Sequence, residues 1–300
     1  MNGYKRLSER QFSVNGTLVT EAIPYQVFGD CNNTMHFLHA NGYSPLVYQG
    51  LFKRLTQSFR VKAPLLRPLW ESPSVPNLND WWPFVADTDA YFDAQGPGPH
   101  LAVGHSIGAT LLLLSAIKNP DQYSGLVLVD PAVFSRRVYW TYRLLSLVNA
   151  QRLFHPLIQK TLKRRTTFSS AEELFDRFRS KPIFKRFSDL ALIDYIQGSF
   201  LKGDSGFELL YPTDWEAHIY ETGILIDAYI WSNINRIHCP ITLIRGEFSN
   251  VCSPSVEARF AASNPNLDTV TIANSGHLVP LEQADAVADI ISSFVSDHDL

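Results

Sequence analysis

The chain has 300 residues, 45% of them hydrophobic, and a formal net charge of −3. That is enough apolar material for a large core, as one enlarged α/β domain or two small ones, and the mild acidity leaves no footprint for nucleic acid. The three cysteines (Cys31, Cys239, Cys252) are odd in number and lack CxxC spacing, which argues against a disulfide framework or a zinc site and suits a reducing cytoplasm.

In chain order, residues 1–10 have no apolar signal-peptide core, and with Asp297-His298-Asp299-Leu300 they read as loose ends. Leu18 to Phe28 and Thr34 to Leu38 read as strands. Leu46 to Phe59 reads as a helix, with apolar residues at Leu46, Val47, Leu51, Phe52 and Leu55. Arg60 to Pro64 is a further strand, and Asp80 to Ala94 a helix opened by an aspartate cap. Continuous apolar runs follow at His100 to Val103, Leu126 to Val129, Ile241 to Ile244 and Thr269 to Ile272. Such runs separated by helices predict a parallel sheet covered on both faces. No run approaches the ~18 apolar residues of a membrane span, so no integral membrane segment is expected.

The alternation stops between about Ala132 and Asn235, which reads as almost wholly helical, for example over Val138 to Ala150 and Ala171 to Arg179. Residues 131–215 hold 14 Lys and Arg against 8 Asp and Glu, although the whole chain is acidic. An insertion of this size exceeds an ordinary crossover and is expected to lie as a cap over the strand C-termini, where open parallel sheets bind ligands. The expected division is therefore 1–131 and 236–300 as core and 132–235 as helical cap. The basic run Lys160-Thr161-Leu162-Lys163-Arg164-Arg165 reads either as a solvated helix end or as an attraction for an anionic substrate or lipid surface.

The chemistry concentrates at Gly104-His105-Ser106-Ile107-Gly108, a G-x-S-x-G run between the His100 strand and the helix of Ala109 to Ile117. A serine on a tight strand-to-helix turn, flanked by glycines, presents its hydroxyl beside a helix N-terminus and is the candidate nucleophile. A serine needs a base, and of nine histidines His277 is best placed, in Ser275-Gly276-His277-Leu278-Val279-Pro280 after the last strand and before a helix starting near Pro280. His105 must point away from Ser106, because adjacent strand residues face opposite ways, and reads as packing. An oxyanion needs donors: the backbone N–H of Ile107 and that of Asn41, in the loop His39-Ala40-Asn41-Gly42-Tyr43-Ser44-Pro45. Tyr43 is a pocket candidate, and His39 a brace for its loop.

In this order, the His-Ala-Asn-Gly-Tyr loop, the Gly-His-Ser-Ile-Gly elbow, the Leu-Val-Asp-Pro strand end, the helical insertion, the Arg-Gly-Glu strand end and the Ser-Gly-His-Leu-Val-Pro loop resemble the α/β-hydrolase superfamily over nearly the whole chain. The resemblance implies a mostly parallel eight-stranded sheet with helices on both faces and an inserted cap, as in capped esterases, epoxide hydrolases, haloalkane dehalogenases and carbon–carbon bond hydrolases. Epoxide hydrolases and dehalogenases carry aspartate where this chain has Ser106, so the resemblance favours an esterase or lipase-like serine hydrolase without cofactor or metal.

One departure concerns the triad acid. Where relatives carry aspartate after the strand that follows the cap, this chain offers Ser249 or Asn250. Asp130, at the end of the strand after the Ser106 helix where some family members place their acid, is the favoured candidate, and Glu247, or Asn250 orienting the histidine without a carboxylate, are the alternatives. Substrate is expected to be a small molecule with an apolar acyl or alcohol group, and His39, His105, Tyr139, Trp140, Tyr142, Tyr211, Trp215 and Tyr220 are further pocket candidates. A carbon–carbon bond hydrolase, a thioesterase, a lyase and a non-catalytic binding module are the alternatives. Nothing in the sequence sets the oligomeric state.

Overall fold

A computed structural model describes residues 17–19, 23–70, 78–147, 155–204 and 206–300. The loose end expected at residues 1–10 lies outside them. Eight strands form the main sheet: β1 (Thr17–Val19), β2 (Tyr25–Phe28), β3 (Thr34–Leu38), β4 (Arg60–Pro64), β5 (His100–His105), β6 (Tyr123–Val129), β10 (Ile241–Gly246) and β11 (Leu267–Ile272). Their order is β1-β2-β4-β3-β5-β6-β10-β11. The strands from β4 to β11 are parallel, and β1 and β2 add an antiparallel edge.

The single strand expected over Leu18 to Phe28 is two strands folded on each other, with Leu18 opposite Gln26. The helix expected over Leu46 to Phe59 opens as a 3₁₀ turn at Pro45–Tyr48 and continues as α1 (Gln49–Leu55). Pro45 sets the first turn there, since proline needs no amide partner at a helix start. On the sheet faces lie α2 (Trp82–Ala94), α3 (Ile107–Lys118), α10 (Pro254–Ser263) and α12 (Ala284–Asp297). Leu111 to Leu114 of α3 are all fully buried, so this helix is apolar all round because it is covered all round. Each such leucine contributes about 1.5–3 kcal/mol by leaving water.

Between β6 and β10 come α4 (Arg136–Leu147), α5 (Pro156–Leu162), α6 (Ala171–Arg179), α7 (Asp189–Ser199), α8 (Thr213–Thr222) and α9 (Asp227–Asn233). The helix expected over Val138 to Ala150 is α4, and residues 148–150 lie outside those described. The insertion is not wholly helical: β7 (Thr167–Phe168), β8 (Phe200–Gly203) and β9 (Gly206–Leu209) form a small antiparallel sheet in the order β7-β9-β8. Strands of two to four residues are too short to leave an alternating pattern in the sequence, which is why the helical periodicity around them dominates. Phe168, Phe178, Phe184, Tyr195 and Phe200 pack edge-on or tilted against one another and form the aromatic core of this insertion.

Candidate active site

Strand β5 ends at His105 and helix α3 starts at Ile107, so Ser106 alone makes the turn, at φ 56 and ψ −119. This conformation costs a non-glycine residue on the order of 1–3 kcal/mol and persists only where the surroundings impose it. Here Ser106 N donates to the Val129 carbonyl at 3.0 Å, and Thr110 N donates to the Ser106 carbonyl at 3.1 Å. The flanking glycines let α3 close against the sheet. A Cβ on Gly108 would stand 2.1 Å from the Leu38 carbonyl oxygen, and one on Gly104 would stand 2.6 Å from Ala109 N.

Three side chains from three strand ends meet at this turn. His277 Nε2 lies 3.0 Å from Ser106 Oγ, and His277 Nδ1 lies 2.8 Å from Asp130 Oδ1. With Nδ1 donating to the carboxylate, neutral His277 leaves Nε2 as an acceptor for the serine hydroxyl. Asp130 is fully buried and adopts φ 46 at the end of β6. Its Oδ2 accepts the Gly246 N–H at 2.9 Å, and its Oδ1 also accepts the Ser249 hydroxyl at 2.6 Å. A buried carboxylate with three donors of this kind is held in one orientation.

Of the three acid candidates, the structure brings Asp130 to His277. Glu247 is turned away, and its carboxylate accepts the Asn274 N–H at 2.8 Å. Asn250 faces the cavity without a hydrogen bond to His277. Ser249 stands close to where relatives were expected to carry the acid, and its hydroxyl instead supports the carboxylate supplied by β6.

The loop after β3 is fixed from both sides. His39 Nδ1 donates to the Ala40 carbonyl at 2.9 Å, and its Nε2 accepts Leu66 N–H at 3.0 Å. Burial pushes its pKa down to about 4, although the Ala40 carbonyl pulls it up, so His39 is a neutral brace. Asn41 is held by the insertion: its Nδ2 donates to the Glu216 carbonyl at 3.0 Å, and its Oδ1 accepts the Tyr211 hydroxyl at 3.0 Å. Ile107 is the first residue of α3, so its N–H has no acceptor within the helix. Asn41, Ile107 and Ser106 all line one cavity, and donors in that relation can receive charge developing on a carbonyl oxygen attacked by Ser106.

His105 does more than pack. Its Nε2 donates to the His277 carbonyl at 2.9 Å, its Nδ1 accepts the Tyr48 hydroxyl at 2.8 Å, and that hydroxyl accepts the Ala40 N–H at 3.1 Å. Burial, together with the neighbouring His277, holds the His105 pKa well below its ordinary value, so the ring is neutral and each of its nitrogens has one partner. The Asn41 loop and the His277 loop are thereby tied through two buried side chains.

The cavity measures about 920 Å³ and lies between the sheet's C-terminal edge and the insertion. Tyr43 and Tyr220 line it. The other aromatic and histidine candidates do not: His39 and His105 are buried in the bonds just described, Trp215 packs on Phe84, Tyr142 donates to the Tyr220 carbonyl, and Tyr211 is taken up by Asn41. Tyr139 and Trp140 pack on each other away from the cavity, with half of Trp140 exposed, because α4 turns Tyr142 inward instead. Among the described residues no three His, Cys, Asp or Glu side chains are grouped to hold a metal ion. No helix among them is long and apolar enough to cross a membrane.

Comparison with known proteins gives a consistent family. Among solved structures, the fold resembles E-2-(acetamidomethylene)succinate hydrolase over 94% of this chain and 98% of that one, with a TM-score of 0.72 and 19% identity. It also resembles a thioesterase domain from the curacin biosynthetic pathway (93% and 98% covered, TM-score 0.68, 19% identity). A thermophilic esterase from Thermogutta terrifontis is similar too (95% and 99% covered, TM-score 0.62, 18% identity). A curated relative, Lipase LipV of Mycobacterium tuberculosis (strain ATCC 25618 / H37Rv), is 40% identical over 67 residues, which are 22% of this chain and 24% of that lipase. The matched stretch thus spans about a quarter of the curated relative's length. The family model described as the alpha/beta hydrolase family matches residues 37–290, and the chain belongs to that family.

Proposed function

We propose that the protein is a serine hydrolase that cleaves a carboxylic ester, or a related acyl substrate, through an acyl-enzyme on Ser106. The observation that carries this reading is the unbroken hydrogen-bonded line from Ser106 through His277 to Asp130, opening on the cavity. His277 takes the Ser106 proton as Oγ attacks the carbonyl carbon, and Asp130 stabilises the imidazolium that forms. The N–H groups of Ile107 and Asn41 hold the oxyanion. His277 then protonates the departing alcohol. In the second step it deprotonates a water that attacks the acyl carbon, and Ser106 leaves with the proton restored.

Residues 132–235 act in this reading as the cap that shapes the substrate site, and the apolar part of its lining, with Phe178, Phe184, Ile219 and Ile224, suits a small molecule with an apolar acyl or alcohol group. A cytoplasmic location is proposed beside it, supported by the three free cysteines. A binding-only chain drew its support from the aspartate missing from its usual place after β10, and the hydrogen bond between Asp130 and His277 supports the catalytic reading over it. The test is hydrolysis of p-nitrophenyl esters from acetate to palmitate by the wild type and by Ser106→Ala, with fluorophosphonate labelling of both. Turnover and labelling in the wild type, both lost in the variant, are expected. An unlabelled wild-type serine overturns the proposal.

A further inference from the structure

The insertion side of the cavity carries more positive charge than its own carboxylates answer. Arg164 is paired, with Nη1 and Nη2 at 2.7 and 2.8 Å from the two oxygens of Glu216, and Arg165 is paired with Glu173 at 2.7 Å. Lys160, Lys163, Arg177, Lys181 and Arg186 line the same cavity, and none of them forms an ion pair with a carboxylate among the described residues. The remaining lining carboxylate, Glu282, receives the Gly276 N–H; burial pushes its pKa up, while that bond and the charge of Arg186, beyond ion-pair distance, pull it down.

Two of these cations lie against aromatic rings, Lys181 half-buried and Arg186 exposed. Lys181 is half-buried with its ammonium 4.0 Å from the centre of the Phe178 ring. Burial, with Arg177 and Arg164 beside it, pulls its pKa down to about 8. Arg186 lies over the Phe248 ring at 4.8 Å, and its Nη1 is 3.9 Å from where a Cβ on Gly276 would stand. Its guanidinium is therefore next to the residue that precedes His277. Like charges gathered around one concavity focus a positive potential into it, which favours an anionic ligand there. The lining also has an apolar part, which includes Phe178, Phe184, Ile219 and Ile224.

We propose that the cavity takes an acyl substrate bearing an anionic group, a carboxylate or a phosphate, at the end remote from the scissile bond, and that Lys181, Arg177 and Arg186 hold that group. This rests on Ser106 being the nucleophile of the cavity. The apolar part of the lining then receives the chain between the reacting carbonyl and the anion, and the cations set both which substrates dock and which way round they lie.

The experiment separates binding from chemistry. Calorimetry on the Ser106→Ala protein compares monomethyl suberate, monooctyl phosphate and the neutral dimethyl suberate. The anionic ligands are expected to bind at least about tenfold more tightly than the diester. That preference is expected to shrink severalfold in Ser106→Ala carrying Lys181→Gln and Arg186→Gln, and to persist when the exposed, off-cavity Lys185→Gln is used instead. The tighter of the two anions identifies a carboxylate or a phosphate as the recognised group. Equal binding of the three ligands overturns the proposal. So does a loss with Lys185→Gln as large as with the cavity pair, since the field would then be diffuse. Melting curves of each variant exclude misfolding as the cause. Fluorophosphonate labelling of wild-type Ser106 is read separately, so a failed nucleophile and a failed anion site give different results.

Discussion

The side chain of His105 holds the backbone of His277, with its Nε2–H donating to the His277 carbonyl at 2.9 Å. The residue before the candidate nucleophile thus fixes the chain that carries the candidate base, and Tyr48 fixes His105 in turn. Replacing His105 by Phe leaves the Tyr48 hydroxyl without its acceptor and the carbonyl without its donor. Because sub-ångström misplacement of a base is costly, kcat is expected to fall roughly 10- to 100-fold with a much smaller change in KM. Steady-state kinetics on an activated ester checks this. A change confined to KM, or to the melting temperature alone, would show that His105 only packs.

Asp130→Asn removes the charge that answers the imidazolium and supplies an amide that can hold the wrong tautomer. On the scale known for Ser-His-Asp systems, kcat is expected to drop by about 10⁴ while the fold is kept. Glu247→Gln, whose carboxylate faces the Asn274 amide, is expected to stay near the wild-type rate. Kinetics of the two variants side by side distinguishes the carboxylates, and the reverse ranking would reassign the acid.

Two buried histidines give stability a defined acid limb. Burial lowers His36 from 6.5 to about 3 and His39 from 6.5 to about 4. In the unfolded chain both protonate near pH 6.5, so below that pH the unfolded state binds more protons and stability falls with acidification. The loss continues until the folded-state values are reached, and is on the order of 3 kcal/mol for His39. Denaturant midpoints are expected to be flat above pH 7 with respect to these groups and to fall steadily from about 6.5 towards 4. The slope is expected to decrease in His39→Gln.

Asn41→Ala keeps the backbone N–H assigned to the oxyanion but cuts both ties to the insertion. A fall of about tenfold in kcat is expected, less than the 10²–10³ of losing an oxyanion donor outright. Tyr211→Phe, which removes one tie, is expected to act in the same direction and more weakly. Single-turnover rates with a good leaving group read this, and an unchanged rate in both variants would show that the loop holds its place without the insertion.

What the sequence made legible was local. Ser106 and its glycines, the His277 loop and the parallel strands are written in short contiguous runs whose chemistry is fixed by spacing. The acid was legible only as a preference for Asp130 over Glu247 and Asn250, because the candidates lie on different loops and only the strand order places β6 next to both β5 and β10. Tyr48 has no signal in the sequence for the same reason, and neither do the bonds that Tyr211 and Ser249 make. Their partners His105, Asn41 and Asp130 lie 57, 170 and 119 positions away. The aromatic lining was misjudged at Tyr139 and Trp140 because an amphipathic helix shows which of its faces is apolar but not what that face meets. The positive charge of the insertion was visible, yet only the fold shows which cations share a cavity with Ser106.

Asn41 is gripped from above by Tyr211 and the Glu216 carbonyl, while Ala40 beside it is tied below to Tyr48. A covering segment so fastened is poorly suited to swing like a hinged door, since each opening would drag on the amide that must receive the oxyanion. In the proposed hydrolase, the covering segment and the loop that carries the oxyanion amide are thereby fastened as one body. Arg186 and Phe248 line the chamber and are themselves exposed, so in the proposed hydrolase the opening beside them, and not only the walls behind it, filters what is hydrolysed.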